Sequence, residues 1–585
     1  MSLKVVVWMV LFIFSSLDAS VANLPTHNIT IRGEKAITLE QLYAVMDIDK
    51  SSMFRMGKAK APRIKDKLLP TLLDTLRNFY ESEGFYDAQF QIDVNEADVS
   101  VSILENAPIY VKKISVASDY PIRKMILSKQ GKVFQGNAFM ETKNQIAQAL
   151  FAKGYCSYNL DAKAYVDLVK HEAILKFVLM KGSICTFGDP VITGLESIDE
   201  DIILSRVRAK KGDRFDPIKV QETYSSIFDL NSFDTVTVSV ERKVFNVVPI
   251  DINLAEVQKP YHFEGGVGYD TYVGPRVHAS IVKKNFNGNA QQTGVKFSWS
   301  KKEQFATGEY YKPALFIVKK YGIDFGSKFG YSNLEFKGFQ ENKGFAKAFL
   351  EHNEGRLELR VGGALENIDI LAQKNLKDNE TLDQAVGEGS FLLLYPYLDI
   401  TYDARDDKLN PKSGYFLSSS VEFGIDYKPG ASSYLKFYLE GRAIHTFDKL
   451  TLSVVTQAGV IDETLNTLPE SKFFFGGGVY SNRAYGFREI GVIHSSTEES
   501  IYGASSMLNL SLEANYPIWK KLYGAVFTDN TMLNENSYDF SGEIISAVGL
   551  GVRYLTPIGP FKLDVGFNVN DFSQYGISFQ IGQSF

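Results

Sequence analysis

The sequence predicts two regions of different fold class: N-terminal α+β repeats of the type β-α-α-β-β, then an all-β, antiparallel transmembrane barrel of about 16 strands. Three observations support this division. The chain begins with an export signal, no later segment is long and apolar enough for a membrane helix, and alternating polarity dominates from residue 258 onward. At 585 residues, the chain is also too long for one ordinary domain.

The first 22 residues have the features of a signal peptide. Lys4 provides a positive charge, residues 5–17 are almost entirely apolar, and Ser20-Val21-Ala22 supplies small residues for cleavage. The apolar stretch is shorter than the roughly 20 residues that a membrane-spanning helix requires. We therefore expect residues 1–22 to be removed and the mature chain to be exported. An uncleaved anchor helix is the alternative.

Alternating polarity identifies the strands of the predicted barrel, residues 258–585. Successive side chains of a strand point to opposite faces, so a period of two separates a lipid-facing set from a set that faces a wet lumen. In one such segment the lipid-facing set is Phe561, Leu563, Val565, Phe567 and Val569, and the lumen-facing set is Lys562, Asp564 and Asn568. A soluble β-sandwich is the alternative. The alternating pattern from 258 to 585 is longer than one sandwich needs, however, and a soluble sandwich would not need an export signal.

The region before the barrel repeats itself three times, over residues 23–110, 111–185 and 186–257. Each unit contains a helix that ends in a turn residue, namely Gly84, Gly154 and Asn231. Glycine and asparagine both tolerate the left-handed backbone conformation found at helix C-termini. Self-similarity at a fixed period indicates an array of small domains.

Composition excludes several classes of function. The formal net charge is −6, so the chain has no electrostatic footprint for nucleic acid. No phosphate loop, zinc-protease motif or nucleophile elbow occurs, and we expect no enzyme activity, no cofactor and no metal site. The only two cysteines, Cys156 and Cys185, flank the β-hairpin of the second repeat. An oxidising compartment outside the cytoplasm would permit a disulfide between them. Two unpaired buried thiols are the alternative.

Several motifs now carry a resemblance to a known family. The repeats resemble polypeptide-transport-associated (POTRA) domains, and the barrel resembles the outer-membrane protein assembly family. The barrel motifs are Gly266-Val267-Gly268-Tyr269-Asp270, Asp403-Ala404-Arg405-Asp406 and Gly549-Leu550-Gly551-Val552-Arg553. The last strand resembles the family's barrel-insertion signal, with Tyr575, Phe579, Ile581 and the terminal Phe585 on one face. Three repeats favour the translocation-and-assembly (TamA) branch.

The segment 475–487 resembles the long loop that folds back into the lumen in this family. Gly476 and Gly477 begin it, and its tip holds Arg483 and Tyr485. Ala484 departs from the family pattern, which has glycine at that position. The resemblance implies that the arginine meets two carboxylates on the barrel wall, and matching motifs assign them to Glu513 and Asp529. The alternative is that Arg483 is an ordinary lumen-facing charge solvated by water.

The resemblance also implies a location and a function. We expect an outer-membrane protein with periplasmic POTRA domains, surrounded by outer-membrane lipid. It would help to insert or translocate client outer-membrane proteins, such as autotransporter-like barrels. A lateral seam would open between the first strand (about 262–272) and the last (about 575–585). The POTRA domains would dock a TamB-like, inner-membrane-anchored periplasmic protein. A two-partner-secretion pore, a lipid-transport component and a passive porin-like channel are alternatives.

Overall fold

The computed structural model describes residues 26–48, 62–95, 98–240, 246–270, 274–319, 321–336, 339–372, 389–427, 432–465, 468–492, 501–519, 521–556 and 559–581. The expected signal peptide and the terminal Phe585 therefore lie outside the described residues. No helix within these ranges is both long and apolar enough to span a membrane. The chain forms two compact units, and the first comprises residues 1–189 with 209–217 and 240–249.

The first repeat contains one strand more than expected. Its elements are β1 (Thr26–Arg32), α1 (Leu39–Val45), β2 (Arg63–Lys65), α2 (Leu72–Ser82), β3 (Gln89–Val94) and β4 (Asp98–Leu104). The sheet order is β2-β1-β4-β3, with β1 parallel to β4 and the additional strand β2 antiparallel to β1. The short β2 covers an edge that the simple β-α-α-β-β pattern would leave open.

The second repeat contains one helix fewer than expected. Its elements are β5 (Tyr110–Ser118), α3 (Gly136–Ala152), β6 (Asn159–Asp167) and β7 (Glu172–Met180), in the sheet order β5-β7-β6. A single 3-10 turn, Arg123–Met125, replaces the first helix. Pro121 lies immediately before this turn, and Gly131 soon after it has a left-handed φ of 79°. Both residue types interrupt helices, so the turn is not extended.

The third repeat follows the expected order of elements. It consists of β8 (Thr186–Thr193), α4 (Glu200–Arg206), α5 (Pro217–Phe228), β9 (Phe233–Val240) and β10 (Val247–Glu256), with the sheet order β8-β10-β9. The turn residue at each helix end has the predicted left-handed conformation. Its φ is 93° at Gly84, 81° at Gly154 and 51° at Asn231. The internal repeat read from the sequence therefore has a common backbone geometry.

Two buried glutamates occupy equivalent positions in the first and third repeats. Glu105, just after β4, accepts hydrogen bonds from the backbone N–H groups of Lys35 and Ala36 at 3.0 and 2.9 Å. Glu256, at the end of β10, accepts corresponding bonds from Glu196 and Ser197 at 2.8 and 2.9 Å. Each carboxylate thus accepts hydrogen bonds from the backbone N–H groups of the loop that leads into the first helix of its own repeat.

The first two repeat boundaries share a hydrogen-bond pattern within the first unit. The carbonyl of the turn glycine accepts from Ile109 at the first boundary and from Cys185 at the second, at 2.8 and 2.9 Å. Cys185 also forms a disulfide with Cys156, with Cα atoms 5.8 Å apart. The disulfide joins the two sides of the hairpin base, because β6 and β7 pair from Asn159–Met180 to the turn. The ladder ends at the pair Asp167–Glu172, so the hairpin turn lies between these two residues.

The barrel sheet has sixteen antiparallel strands, and each pairs with the next along the chain. This confirms the predicted fold class. The strands are β11 (Tyr261–Asp270), β12 (Gly274–Lys283), β13 (Gln292–Ser300), β14 (Glu303–Val318), β15 (Tyr321–Glu335), β16 (Phe339–Glu354), β17 (Leu357–Ala372), β18 (Gly389–Asp403), β19 (Ser413–Asp426), β20 (Ser432–Phe447), β21 (Leu450–Glu463), β22 (Ser506–Trp519), β23 (Leu522–Asn534), β24 (Ile544–Thr556), β25 (Gly559–Asn568) and β26 (Tyr575–Ile581).

A buried ion pair attaches the third repeat to the rim of the barrel within the second unit. Arg206 of α4 donates to Asp324 of β15, and both side chains are at least 95% buried. Tyr311 and the backbone N–H of Ala314 also donate to Asp324. The N–H of Ala314 is available because β14 departs from regular register between Lys312 and Phe316. The irregularity in β14 therefore helps to hold the third repeat.

The interior of the barrel contains both a polar part and an apolar part. The polar set on β25 does face inward, since Lys562 and Asp564 are buried while Val569 is 42% exposed. A large part of the interior, however, is an apolar cluster contributed by several strands and by the connection after β21. Its buried members are Leu334, Phe336, Phe339, Ala364, Ile368, Ile370, Phe391, Leu393, Tyr395, Tyr434, Ile461, Leu468, Phe474, Tyr502 and Met507. A folded loop excludes water from this part of the lumen.

The buried glutamates predict how the repeats respond to pH. Burial alone would raise the pKa of the Glu105 carboxyl, but the backbone N–H donors outweigh it and hold this pKa below its usual range. A lowered folded-state pKa stabilises the first repeat at neutral pH, and this stabilisation is lost as the pH falls through the lowered value. We expect Glu105→Gln to cost about 1–3 kcal/mol at pH 7 and to flatten this pH dependence.

Hydrogen exchange at the amides of residues 35–37 in the full-length protein measures this effect. Asp74→Asn is the matched control, because the Asp74 side chain is 75% exposed and faces Arg77 at 4.0 Å. Equal exchange rates in wild type and Glu105→Gln across the pH range would contradict the assignment.

Candidate functional site in the barrel lumen

A long connection between β21 and β22 folds back inside the barrel. We call residues 464–505 the lumen loop; the structure describes all of it except 466–467 and 493–500. Short antiparallel bridges join Phe474 to Ala504 and Gly476 to Ile490. The loop therefore has its own hydrogen-bonded framework, as a buried loop must.

Glycines shape the tip of the lumen loop. Gly477 and Gly478 have left-handed φ values of 97° and 90°. A Cβ at Gly477 would lie 2.3 Å from the carbonyl oxygen of Gly486, so no larger residue fits there. The N–H of Gly478 donates to the carbonyls of Asn482 and Tyr485 at 3.1 and 3.0 Å. The predicted glycine motif thus closes a tight turn that presents Arg483.

Arg483 lies at the centre of the site, with only 2% of its surface exposed. Its Nε and Nη2 donate to Oδ2 and Oδ1 of Asp529 on β23, both at 2.9 Å, and its backbone N–H donates to Oδ2 at 3.0 Å. Its Nη1 donates to Oε2 of Glu513 on β22 at 2.6 Å. This is a bidentate, charge-assisted arrangement, the strongest kind of side-chain hydrogen bonding.

Further charges of both signs surround Arg483 and its two carboxylates. Asp564 on β25 lies 3.5 Å from Nη1 of Arg483, and Arg553 on β24 contacts both Asp564 and Glu513. The guanidinium of Arg483 also stacks on Phe527, with Cζ 3.4 Å from the ring centroid. Four adjacent strands, β22 to β25, thus contribute to one buried ionic network around the loop tip.

The neighbours of Arg483 fix the loop backbone. Tyr485 accepts a hydrogen bond from Nδ2 of Asn568 at 2.5 Å. Ala484, which departs from the family pattern, is fully buried, and its carbonyl accepts a hydrogen bond from Nε2 of Gln574 at 2.9 Å. Gly566 on β25 faces the loop, and a Cβ there would lie 2.8 Å from the carbonyl carbon of Arg483. Close approach of the loop to the wall therefore requires glycine at 566.

The structure brings together Arg483, Glu513 and Asp529 as the resemblance implied, and it places Gly476, Gly477 and Tyr485 in the same loop. Sequence reasoning missed the roles of Asp564, Arg553 and Gly566. Asp564 could have been found, because its alternating segment already placed it on the lumen face. In the last strand, Tyr575 is 57% exposed on the outer side and Ser578 is buried on the inner side. The side chains of Ile581 and Phe585 lie outside the described residues.

Comparisons with known proteins agree with this fold. Residues 285–585 match the model of the Omp85 superfamily domain. The chain is 22% identical over 570 residues to the outer membrane protein assembly factor BamA of Nitratidesulfovibrio vulgaris, which covers 93% of this chain and 70% of that protein. It is 20% identical to a putative outer membrane protein assembly factor of Treponema pallidum, over 68% of this chain and 53% of that protein.

Among solved structures, the chain resembles BamA from Haemophilus ducreyi lacking POTRA domains 1–3. The TM-score is 0.54 at 15% identity, over 81% of this chain and all of the other. The repeats, the sixteen-stranded sheet and the lumen loop define an outer-membrane barrel with periplasmic POTRA domains. The chain belongs to the Omp85 superfamily.

Removing the arginine tests the anchor at the loop tip. We expect Arg483→Ala to cost about 3–5 kcal/mol, because it leaves buried carboxylates without their partner. Arg483→Lys should recover only part of this, since an ammonium cannot bind Asp529 through two parallel bonds. The heat-unfolding midpoint of the folded barrel, read from its electrophoretic mobility, measures both. A silent Arg483→Ala would show that the loop is not held by this contact.

Glycine substitution tests the contact between loop and wall without removing a charge. Gly566→Ala should displace the loop tip, because its Cβ would meet backbone atoms that cannot rotate away. Gly363→Ala on β17 is the matched control, since a Cβ there meets nothing within 4 Å. We expect a cost of about 1–3 kcal/mol for the first variant and little change for the second, measured by the same mobility assay. Equal midpoints would overturn the assignment of Gly566.

Proposed function

We propose that this protein is an outer-membrane assembly factor that inserts client β-barrels through a lateral seam. The observation that carries the proposal is the proximity of the first and last strands of the barrel sheet. β11 and β26 are the first and last strands in the order of the sixteen-stranded sheet. Their Cα atoms nevertheless come within 8 Å of each other. The two terminal strands therefore lie next to each other, where a seam between them can open.

A strand edge that is exposed to hydrocarbon when the seam opens favours the addition of another strand. Each unsatisfied backbone group there costs several kcal/mol, so a client strand gains by pairing with β11 or β26. The strands next to the seam are also short. β11, β12 and β13 have 10, 10 and 9 residues, whereas β14, β16 and β17 each have 16. Few hydrogen bonds therefore need to be exchanged when the seam admits a client.

The POTRA repeats offer strand edges for capturing proteins before insertion. β3, β6 and β9 each lie at the end of their sheet order. An extended segment can add to such an edge by main-chain hydrogen bonds. We propose that these edges receive autotransporter-like clients, or a TamB-like, inner-membrane-anchored periplasmic protein as in the TamA branch.

Locking the seam tests whether lateral opening is required. Cysteine pairs placed across β11 and β26, between residues 261–266 and 575–580, should abolish client insertion when oxidised and restore it when reduced. A Val565→Cys and Ile577→Cys pair is the matched control, because these residues already face each other in the β25–β26 ladder. Wild type in both conditions reports the effect of reducing the native Cys156–Cys185 bond. Full insertion with the seam oxidised would exclude lateral opening.

Depleting the protein separates the proposal from other functions of exported barrels. Quantitative proteomics of the outer membrane should show loss of specific autotransporter-like barrels. Loss of one secreted protein with unchanged barrels would indicate a two-partner-secretion pore. Unchanged barrels with altered lipid permeability would indicate lipid transport, and either result would overturn the proposal.

A further inference from the structure

Lys472 makes a second buried ionic contact between the lumen loop and the barrel wall. It ends the 3-10 turn Glu470–Lys472 and is 8% exposed. Its Nζ lies 3.1 Å from Oε2 of Glu366 on β17 and 3.0 Å from Oε2 of Glu422 on β19. Lys472 therefore links the loop to two separate strands, because moving its side chain would break the contacts to both.

Aromatic rings complete the cage around this ammonium. The Nζ of Lys472 lies 4.1 Å from the ring centroid of Tyr395 on β18 and 5.8 Å from that of Tyr434 on β20. Tyr395 in turn donates to Oε1 of Glu366 at 2.7 Å. The backbone carbonyl of Lys472 accepts a hydrogen bond from Nζ of Lys436. The side chain and the backbone of one residue are therefore held by four consecutive strands, β17 to β20.

This contact lies on a different part of the wall from the Arg483 contact. Arg483 binds Glu513, Asp529 and Asp564 on β22, β23 and β25, eleven residues further along the loop (483 minus 472). Directly after Lys472 the loop is aromatic, with three phenylalanines at 473–475. Phe474 stacks on Tyr438 and Phe475 packs against Phe336, with ring centroids 6.4 and 5.4 Å apart. The loop thus crosses the lumen from one group of strands to another.

We propose that Lys472 is a positioning residue that anchors the lumen loop independently of Arg483, so that the loop staples β17–β20 to β22–β25. The inference goes beyond the proposed function, because it concerns how the lumen is kept closed and not what passes the seam. Two separate anchors mean that loss of either one loosens only half of the loop. Loss of both should release the loop and open the lumen to ions.

Neighbouring charges determine which variants can test the anchor. Lys436 also lies beside Glu422, and Lys347 lies 3.5 Å from Glu366 with a side chain 33% exposed. Lys343 is near Glu366 as well. Removing Lys472 and Glu366 together therefore leaves Lys436 opposite Glu422 and leaves Lys347 solvated. The double variant K472M/E366Q loses the anchor without leaving an unpaired buried charge.

The experiment measures ion conductance of the purified full-length protein in planar lipid bilayers. We expect K472M/E366Q to raise the frequency of large openings by roughly tenfold over wild type. Adding R483A should raise it further than either change alone. The single variant K472R should open much less often than K472M/E366Q, because it keeps the positive charge between Glu366 and Glu422. K449M is the matched control, since Lys449 lies exposed in the turn between β20 and β21.

Each outcome decides for or against the second anchor. A lower heat-unfolding midpoint with unchanged conductance would show that Lys472 only stabilises the wall, and it would overturn the proposal. Conductance equal to wild type in both K472M/E366Q and K472M/E366Q/R483A would do the same. Conductance needs no client protein. A failed client-insertion assay with raised conductance would therefore count against the proposed function and leave the anchor supported.

Discussion

The bidentate contact between Arg483 and Asp529 is the interaction on which the interior of this barrel depends. A sixteen-stranded barrel has a lumen wide enough for water, and a loop placed there must compete with hydration. The folded position of the loop is favoured for three reasons. Its arginine makes two parallel bonds to Asp529, its glycines allow a tight turn, and Gly566 lets its backbone lie against the wall. Once the loop is in place, the apolar residues around Phe474 can form a core inside a membrane pore.

The same loop gives the barrel unequal walls. β17–β20 and β22–β25 are tied to it by Lys472 and Arg483, and their inward charges are buried and paired. On β11–β13, in contrast, side chains on both faces are exposed, such as Val267 and Val277 on one face and His278 on the other. Interior contacts are therefore fewer on the β11 side of the seam than on the β26 side, where β25 contacts the loop. Short strands with few interior contacts, such as β11–β13, can exchange partners at low cost.

The periplasmic repeats show how one pattern tolerates local change. Glu105 and Glu256 fasten the entrance to the first helix in two repeats. The second repeat has no such glutamate, and there the backbone N–H of Lys181 donates to Asp119 instead. The first helix of that repeat is reduced to a 3-10 turn. The third repeat contacts the barrel through the Arg206–Asp324 ion pair. Sheet pairing is common to all three, whereas the connections vary.

Local patterns in the sequence determined the fold class, the strand count and the left-handed turns at Gly84, Gly154 and Asn231. Strand polarity has a period of two and turns need particular residues, so both can be read without knowing any distant contact. Motif resemblance placed Arg483 with Glu513 and Asp529. Only the tertiary structure decided the apolar cluster inside the lumen, the Lys472 bridge and the contact at Gly566. Each of these joins residues far apart in the chain, and nothing in a single strand specifies which loop will lie against it.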